Sequence, residues 1–263
     1  MIRALFSAAS GMVAQQLNID NVANNLANAN TTGFKRRRVQ FQDLLYQNLL
    51  APGASAGQQT VVPTGLQLGL GARVVSNEVV FRQGDFISTE NPLDVVIEGP
   101  GFFQIRLPTG ELAYTRAGSF HLDRDGNVVT SNGDPIDPNI TIPPNGLNIS
   151  IAQDGTVSYT LPGQFQPAQT GPIQLATFQN PAGLLALGEN LFQQTQASGD
   201  PIVGLPGGQE GIGRLRQGFL ENSNVSVVEE FINMIVSQRA YEANARVVRT
   251  ADEMYQEANG LSR

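Results

Sequence analysis

The sequence predicts an α+β fold in which an N-terminal and a C-terminal helix pair as a coiled coil, with an extended connector and an inserted all-β domain between them. Three observations predict this fold. Apolar residues repeat every seven positions at both ends of the 263-residue chain, short apolar runs with Asp-Gly turns fill its middle, and Gly/Pro-rich stretches separate these parts. We expect residues 1–30 and 224–263 to form the coiled coil, 31–72 and 205–223 the connector, and 73–204 the outer β domain.

The N-terminal helix is predicted from an apolar repeat and ends before Gly33, a natural left-handed C-terminal residue. The repeat forms a narrow seam of the coiled-coil kind made of Leu5, Met12, Ile19, Val22 and Leu26. A second stripe, on a roughly opposite face, consists of Asn18, Asn21, Asn25 and Asn28. Because asparagine is a poor helix former, we expect this helix to need partners on more than one side.

The C-terminal helix is predicted to begin at a capping box, Ser226 with Glu229, and to stop near Gly260. Its side of the seam consists of Val227, Phe231, Met234, Tyr241, Val248 and Tyr255. The first half of the helix is apolar around nearly its whole circumference, and such a helix requires burial on all sides. One N-terminal helix cannot cover it, so we expect other copies of the chain to supply the remaining cover.

The middle of the chain predicts short strands over residues 73–81, 94–98, 101–107, 112–116, 118–122, 127–130, 147–151, 156–160 and 173–178. Asp125-Gly126 and Asp154-Gly155 each lie between alternating apolar runs, which predicts two hairpins. Residues 34–50 fit either a short helix or an extended arm. The composition of residues 51–71 favours a flexible linker, although Val61, Val62 and the alternating Leu66, Leu68 and Leu70 indicate partial burial. The Gly-rich residues 204–223 are expected to pair with the 31–72 segment.

Charge and composition exclude several classes of protein. The net charge is −7, yet residues 1–38 carry +4, and such a basic end can indicate nucleic-acid binding. The acidic remainder repels phosphate, so we do not expect nucleic acid as a partner. The absence of cysteine excludes thiolate metal sites and disulfides. We find neither a signal peptide nor an apolar run that could span a membrane, which alone would suggest the cytoplasm.

The motifs in this chain that resemble catalytic or metal sites lack the further residues that such sites require. Ser55 lies in a G-x-S-x-G match without the strand and helix that a nucleophile elbow requires, and His121 is the single histidine available as its base. Asp123 and Asp125 lack the further ligands of a calcium loop and fit a hairpin turn. Asp94 and Glu98 are the closest strand-placed carboxylates. We therefore expect no enzyme, no catalytic residues, no cofactor and no metal.

Three stretches resemble flagellar basal-body rod and hook proteins. Residues 23–38 (ANNLANANTTGFKRRR) resemble the N-terminal signature of that family, 224–254 (NVSVVEEFINMIVSQRAYEANARVVRTADEM) its C-terminal signature, and 101–130 its shared β-domain motif. Segment 44–73 is most similar to the distal rod branch of the family. The signature residues are Ala23, Asn24, Asn25, Leu26, Ala27, Asn28, Gly33, Phe34, Gln238, Arg239, Ala240 and Tyr241.

The resemblance implies a structural subunit that polymerises helically into the distal rod, the drive shaft that transmits torque from motor to hook. The partners implied are further copies, proximal rod and hook proteins at the ends, ring bushing proteins around the rod, and the flagellar export apparatus. The location implied is the periplasm, reached without a cleaved signal peptide and without membrane insertion. The alternatives are a proximal rod or hook subunit, an extracellular cell-wall glycan hydrolase using Asp94 and Glu98, and a binding module that dimerises through its coiled coil.

Overall fold

The computed structural model describes residues 2–53, 64–164, 166–208 and 211–260. The fold is α+β, with a helix near each end of the chain and strands between them. The chain divides into two compact units. Unit 1 consists of Met1–Ala27, Arg37–Glu78 and Ser226–Arg263, and unit 2 consists of Asn28–Arg36 and Val79–Val225. The expected α+β class is confirmed, whereas the division into coiled coil, connector and β domain stays a prediction.

Over its described residues, unit 1 contains two helices and four strands. The elements are α1 (Ile2–Ala27), β1 (Arg37–Asp43), β2 (Tyr46–Leu50), β3 (Leu66–Gly69), β4 (Ala72–Val79) and α2 (Val227–Gly260). Strands β1 and β4 pair, and β2 and β3 form an antiparallel two-stranded arm. Helix α2 begins as predicted, because Ser226 Oγ accepts a hydrogen bond from the backbone N–H of Glu229 at 3.5 Å.

Unit 2 is built from short strands. They are β5 (Phe86–Ser88), β6 (Val95–Glu98), β7 (Phe102–Arg106), β8 (Leu112–Thr115), β9 (His121–Leu122), β10 (Val128–Val129), β11 (Leu147–Ile151), β12 (Val157–Thr160), β13 (Ala168–Thr170), β14 (Leu175–Thr177), β15 (Leu185–Gly188), β16 (Leu191–Gln193), β17 (Ile202–Gly204), β18 (Arg214–Gln217) and β19 (Phe219–Glu221). Six of them form an antiparallel sheet in the order β15-β16-β8-β7-β14-β17. Strands β11, β12 and β13 form a second sheet, and β5–β19, β6–β18 and β9–β10 form pairs.

The core of unit 2 consists of two clusters of buried side chains. The first has Phe103 and Phe120 in edge-to-face contact, with ring centroids 5.1 Å apart, among isoleucine, valine and leucine side chains. In the second, the ring of Phe102 contacts those of Phe81 and Phe178. Such edge-to-face contacts stabilise an aromatic core beyond the area that it buries. Unit 2 therefore has a hydrophobic core of its own.

Both Asp-Gly hairpins predicted from the sequence are confirmed. Gly126 and Gly155 have φ values of +82° and +87°, and strands pair antiparallel across each turn. Residues 37–43 and 46–50 are strands, so the ambiguous segment is extended rather than helical. The expected pairing of 204–223 with 31–72 is mostly wrong, because β18 and β19 pair with β6 and β5. The sequence did not predict β5, β13, β15, β16, β17, β18 or β19, which have only three or four residues each.

Candidate assembly interface

The two helices of unit 1 run antiparallel and contact each other through polar side chains. Asn25 Nδ2 donates a hydrogen bond to Glu230 Oε2 at 3.3 Å. Seven residues earlier on α1 and seven later on α2, Asn18 Nδ2 donates to Ser237 Oγ at 2.8 Å. Asn25 and Glu230 are each 1% exposed and Ser237 is 2% exposed. The centre of this helix contact is therefore buried and polar.

The same register continues one further heptad along both helices. A Cβ atom added to Gly11 would lie 2.8 Å from Nδ2 of Asn244, so glycine permits the close approach of α1 to this side chain. Each step of seven residues forward on α1 is matched by seven residues backward on α2. We call these three pairs the polar ladder: Gly11–Asn244, Asn18–Ser237 and Asn25–Glu230.

Asn25 also ties α1 to the first strand of unit 1. Its Oδ1 accepts a hydrogen bond from the backbone N–H of Arg37 at 2.9 Å, and its Nδ2 donates to the backbone carbonyl of Arg37 at 2.9 Å. Asn21 Nδ2 donates to that same carbonyl at 2.8 Å. One buried amide thus joins α1, β1 and α2, and it does so with donors and acceptors that few other side chains offer in this geometry.

Large apolar side chains lie on the opposite faces of both helices, away from the polar ladder. On α1 these are Phe6, Val13 and Leu17, and on α2 they are Val228, Phe231, Ile232 and Ile235, all between 46% and 69% exposed. The α2 residues follow i, i+3, i+4, i+7 spacing, which places them on one helix face. We call these two sets the outer stripes. Contiguous exposed apolar surface of this kind marks an interaction surface.

The predicted seam residues range from buried to exposed, and Phe231 belongs to the outer stripe of α2. Val22 is buried; Leu5, Met12, Ile19, Leu26, Met234, Val248 and Tyr255 are half-buried; Val227, Phe231 and Tyr241 are exposed. The Asn stripe, expected on a roughly opposite face, contributes Asn18, Asn21 and Asn25 to contacts with α2 and β1. Within one chain, the helices therefore bury Asn25, Glu230 and Ser237 together with apolar side chains, namely Ala8, Ala14, Val22 and Ala251. The seven-residue spacing of Glu230, Ser237 and Asn244 was the available sequence signal.

The family-signature residues differ in their exposure to solvent. Ala23, Asn24, Ala27, Gln238, Arg239 and Tyr241 are exposed, Leu26, Asn28, Phe34 and Ala240 are half-buried, and Asn25 and Gly33 are buried. Gly33 has a φ of +71°, and a Cβ atom there would lie 2.6 Å from the backbone N of Ala117. The predicted left-handed glycine is confirmed, and a larger residue there would force the backbone of Ala117 to shift.

Next to this glycine, unit 2 buries a cluster of three charged side chains. Lys35 Nζ forms an ion pair with Glu221 and donates a hydrogen bond to the carbonyl of Arg82 at 2.9 Å. Arg116 Nε lies 3.1 Å from Glu221 Oε2, and the Gly84 N–H donates to Glu221 Oε1. Burial lowers the pKa of Lys35, with Glu221 opposing that shift, and burial also lowers the pKa of Arg116. One carboxylate therefore holds two buried cations, and removing it would leave both unpaired.

The arm formed by β2 and β3 exposes apolar side chains. Leu45 is 86% exposed, and Tyr46, Leu49, Leu50, Leu66 and Leu68 are between 37% and 53% exposed. At its base, Leu44 N–H donates to the Gly71 carbonyl, and a Cβ atom on Gly71 would lie 2.1 Å from Ser10 Oγ. The predicted burial of Val61 and Val62, and the Ser55 motif, lie outside the described residues.

The residues considered for other chemistry do not come together. Asp94 is buried and accepts a hydrogen bond from Asn91, whereas Glu98 is exposed. His121 is exposed on β9. Within residues 2–53, 64–164, 166–208 and 211–260, no three His, Cys, Asp or Glu side chains are grouped as metal ligands would be. Over the same residues, neither helix is long and apolar enough to cross a membrane.

Three family models match the chain. Residues 5–35 match the flagella basal body rod protein model, and residues 96–159 match the flagellar hook protein FlgE/F/G D1 domain. Residues 216–261 match the flagellar basal body rod FlgEFG protein C-terminal model. The matches cover α1, the centre of unit 2, and α2 with the strands before it. They include the ladder residues of both helices.

Curated relatives match over nearly the whole chain. A flagellar basal-body rod protein FlgG of Buchnera aphidicola subsp. Schizaphis graminum is 50% identical over 99% of this chain and 100% of its own length. The FlgG proteins of Borreliella burgdorferi and Bacillus subtilis are 49% and 38% identical, each over 100% of both chains. With two terminal helices, a β middle and this similarity along its length, the chain belongs to the flagellar basal-body rod protein family.

Proposed function

We propose that this chain is a subunit of the distal rod of the bacterial flagellum, polymerising helically into a shaft that transmits torque from motor to hook. Its relatives are named as basal-body rod proteins over their full length, and the sequence of segment 44–73 favours the distal part of the rod. The proposal requires contacts between copies strong enough to carry load.

The observation that carries the proposal is the pair of outer stripes. Val228 is 69% exposed and Phe6 is 68% exposed, so each free chain leaves large apolar side chains in water. Burial of such a side chain contributes roughly 1.5–3 kcal/mol. Because the outer stripes lie on both helices, one copy can offer apolar surface to several neighbours at once. Further copies of the same chain are the natural occupants in a family of rod proteins.

In this proposal the terminal helices form the coiled-coil core of the polymer. The half-buried seam residues, Met12 and Met234 among them, become fully buried when neighbouring helices pack beside them. Residues 1–30 and 224–263 form this core, 31–72 and 205–223 the connector, and 73–204 the outer domain. The β2–β3 arm, with exposed Leu45 and Tyr46, braces neighbouring copies and keeps the polymer straight.

The further partners follow from this position. Proximal rod and hook proteins contact the two ends of the polymer, ring bushing proteins surround it, and the flagellar export apparatus delivers the unassembled chain. The assembled subunit spans the periplasm and acts as a structural protein without enzymatic activity, cofactor or metal. A proximal rod or hook subunit is the alternative within the family, and labelling this chain in isolated basal bodies by immunoelectron microscopy distinguishes the positions.

Aspartate substitutions in the two helices test the assembly role. Met12→Asp or Met234→Asp would place an uncompensated charge in a buried helix contact, which opposes polymer growth. Sedimentation and electron microscopy measure growth, and circular dichroism and melting of the monomer report on unit 2, which has its own core. We expect growth to be lost and the melting transition of unit 2 to stay unchanged. Gln256→Asp on exposed α2 surface is the matched control, and normal polymers from Met234→Asp would refute the proposal.

A further inference from the structure

Unit 2 contains a cavity of about 320 Å³ with mostly apolar walls. The apolar side chains that line it are those of Phe81, Pro100, Phe102, Phe178 and Pro181. Small-molecule sites typically measure about 300–1,000 Å³, and an apolar cavity of about 150 Å³ is large enough to bind benzene. The cavity therefore has room for one aromatic ring or short alkyl chain together with a polar group attached to it.

A charged side chain, Arg116, also lines this cavity. Arg116 is 5% exposed, and its Cζ atom lies 6.0 Å from the centre of the Phe102 ring. Its Nη1 donates hydrogen bonds to the carbonyls of Gly99 at 2.9 Å and Gly101 at 2.6 Å, and its Nε lies 3.1 Å from Glu221 Oε2. Among the described residues, Nη2 finds no hydrogen-bond acceptor. The guanidinium group is thus held in place by its other two nitrogens, and Nη2 is left for a ligand.

The buried charges next to the cavity are unbalanced. Lys35 and Arg116 are two buried cations that share one carboxylate, that of Glu221. Burial lowers the pKa of Lys35, Glu221 opposes that shift, and Arg116 adds to it, because the two cations repel each other. Buried charges are stabilised when they are paired and hydrogen-bonded. A second carboxylate placed beside Arg116 would therefore balance the cluster, which makes the cavity complementary to an anion and not to a cation.

We propose that this cavity binds a small carboxylate with an apolar body, such as an aryl-alkyl acid. The carboxylate accepts a hydrogen bond from Nη2 of Arg116, since charge-assisted bonds between guanidinium and carboxylate are among the strongest in proteins. The ring of the ligand packs against Phe102 and Phe178, which already contact each other edge to face. The site lies within unit 2 and is independent of how copies of the chain associate, so it goes beyond the proposed function.

Three probes separate the contribution of charge from that of apolar contact. 3-Phenylpropanoate has a carboxylate and a ring, 3-phenylpropanamide has a neutral amide of the same shape in place of the carboxylate, and acetate lacks the ring. Calorimetric titration of each probe into the full-length chain measures its affinity. We expect the carboxylate to bind about tenfold or more tightly than the amide, because its hydrogen bond to Arg116 is charge-assisted. We expect no measurable binding of acetate, which gains nothing from the apolar walls.

A substitution in the wall of the cavity tests whether the ligand occupies it. Thr177 is half-buried on β14 and lines the cavity, so Thr177→Leu reduces the available volume. Thr160→Leu on β12 is the matched control, because Thr160 is also half-buried and its hydroxyl also donates to a backbone carbonyl, whereas it does not line the cavity. We expect 3-phenylpropanoate to bind Thr177→Leu several-fold more weakly than the wild type and to bind Thr160→Leu with unchanged affinity.

Arg116→Lys keeps the positive charge and removes the planar fork, so we expect the preference for the carboxylate over the amide to fall several-fold. If this variant does not fold, as judged by circular dichroism, the amide comparison and the two leucine variants still decide. The proposal is overturned if 3-phenylpropanoate does not bind, if the amide binds as tightly as the carboxylate, or if Thr177→Leu binds like the wild type. Each of these results leaves the rod assignment standing, because polymer growth is measured separately.

Discussion

Asn25 and Arg37 exchange two hydrogen bonds, the side-chain amide of Asn25 pairing with the backbone N–H and C=O of Arg37 as a neighbouring strand would. The amide also donates to Glu230. Aspartate at position 25 would lose both donations and bring a second carboxylate next to Glu230. We expect Asn25→Asp to cost about 3 kcal/mol or more in the stability of the helix pair, because it buries an unpaired charge.

Hydrogen exchange of α1 amides in the monomer measures this loss. Gln16→Glu is the matched control, since it makes the same amide-to-carboxylate change on an exposed residue of α1. Similar exchange rates in the two variants would show that the amide of Asn25 does not hold α1 in place.

Removing the charge of Glu221 should destabilise the protein more than removing the charge of Lys35. Glu221→Gln leaves Lys35 and Arg116 buried without a carboxylate, and breaking a buried pair in this way costs about 3–5 kcal/mol. Lys35→Met leaves Glu221 still paired with Arg116, so we expect a smaller loss. Urea unfolding of the full chain measures both, and equal losses would contradict the shared-carboxylate arrangement.

The lowered pKa of Lys35 also predicts a dependence of stability on pH. Between the folded-state pKa and the unfolded value of about 10.4, the unfolded chain binds more protons at Lys35 than the folded chain does. The contribution of Lys35 to the unfolding free energy therefore rises with pH in that window. We expect the wild type to gain stability relative to Lys35→Met as pH increases there, and a constant difference would refute the prediction.

Alanine should destabilise the protein more at Gly33 than at Gly218, another glycine with a left-handed backbone. Both Gly33 and Gly218 have positive φ, so alanine at either position costs roughly 1–2 kcal/mol of backbone strain. A Cβ atom at Gly33 also meets the backbone of Ala117, whereas one at Gly218 has no atom within 4 Å. Thermal unfolding of Gly33→Ala should show the larger destabilisation, and equal effects would mean that the close approach is relieved at little cost.

The β2–β3 arm could brace neighbouring copies or act as a flexible linker, and the two roles predict opposite effects of its deletion on polymer stiffness. Deleting residues 47–64 removes Leu49 and Leu50, two of the exposed apolar side chains of β2, along with most of the residues between β2 and β3. If the arm braces neighbouring copies, the polymers should curve or bend, as measured by their persistence length in electron micrographs. Replacement of the same residues by a Gly/Ser stretch of equal length is the control, and straight polymers from both variants would favour the linker.

Limited proteolysis should protect unit 2 beyond the β domain expected from the sequence, which ends at residue 204. Strands β18 and β19 pair with β6 and β5, so the protected fragment should extend to about residue 225. Mass spectrometry of the fragments locates the boundary. Cleavage within β18 or β19 in the folded monomer would show that this pairing is not stable.

Local sequence patterns predicted much of this fold because they act over a few residues. The heptads of Met12 and Met234 identify both helices, Ser226 marks the start of α2, and the Asp-Gly pairs locate two hairpins. The polar ladder could not be predicted in the same way, since amphipathicity places apolar side chains toward the partner helix. Asn25 instead contacts Glu230, 205 residues away, and nothing near Asn25 in the sequence indicates that contact.

Strands β5 and β19 were missed for a related reason. Each has three residues, and Glu221 within β19 is a buried acid in a stretch that the sequence predicted to be an extended connector. Its burial depends on Lys35 and Arg116, which arrive from distant parts of the chain. Apolar periodicity does not report such long-range pairing of charges.

The contact between Lys35 and Glu221 joins residues 186 positions apart, which has a consequence for the order of folding. During synthesis, Lys35 leaves the ribosome long before the carboxylate that neutralises it. Strands β5 and β6 likewise emerge well before their partners β19 and β18. A fold dominated by such distant contacts forms slowly, since the loop must close before the contacts stabilise it. Unit 2 cannot complete its structure until more than four-fifths of the polypeptide has emerged, so a truncated nascent chain lacks a finished domain.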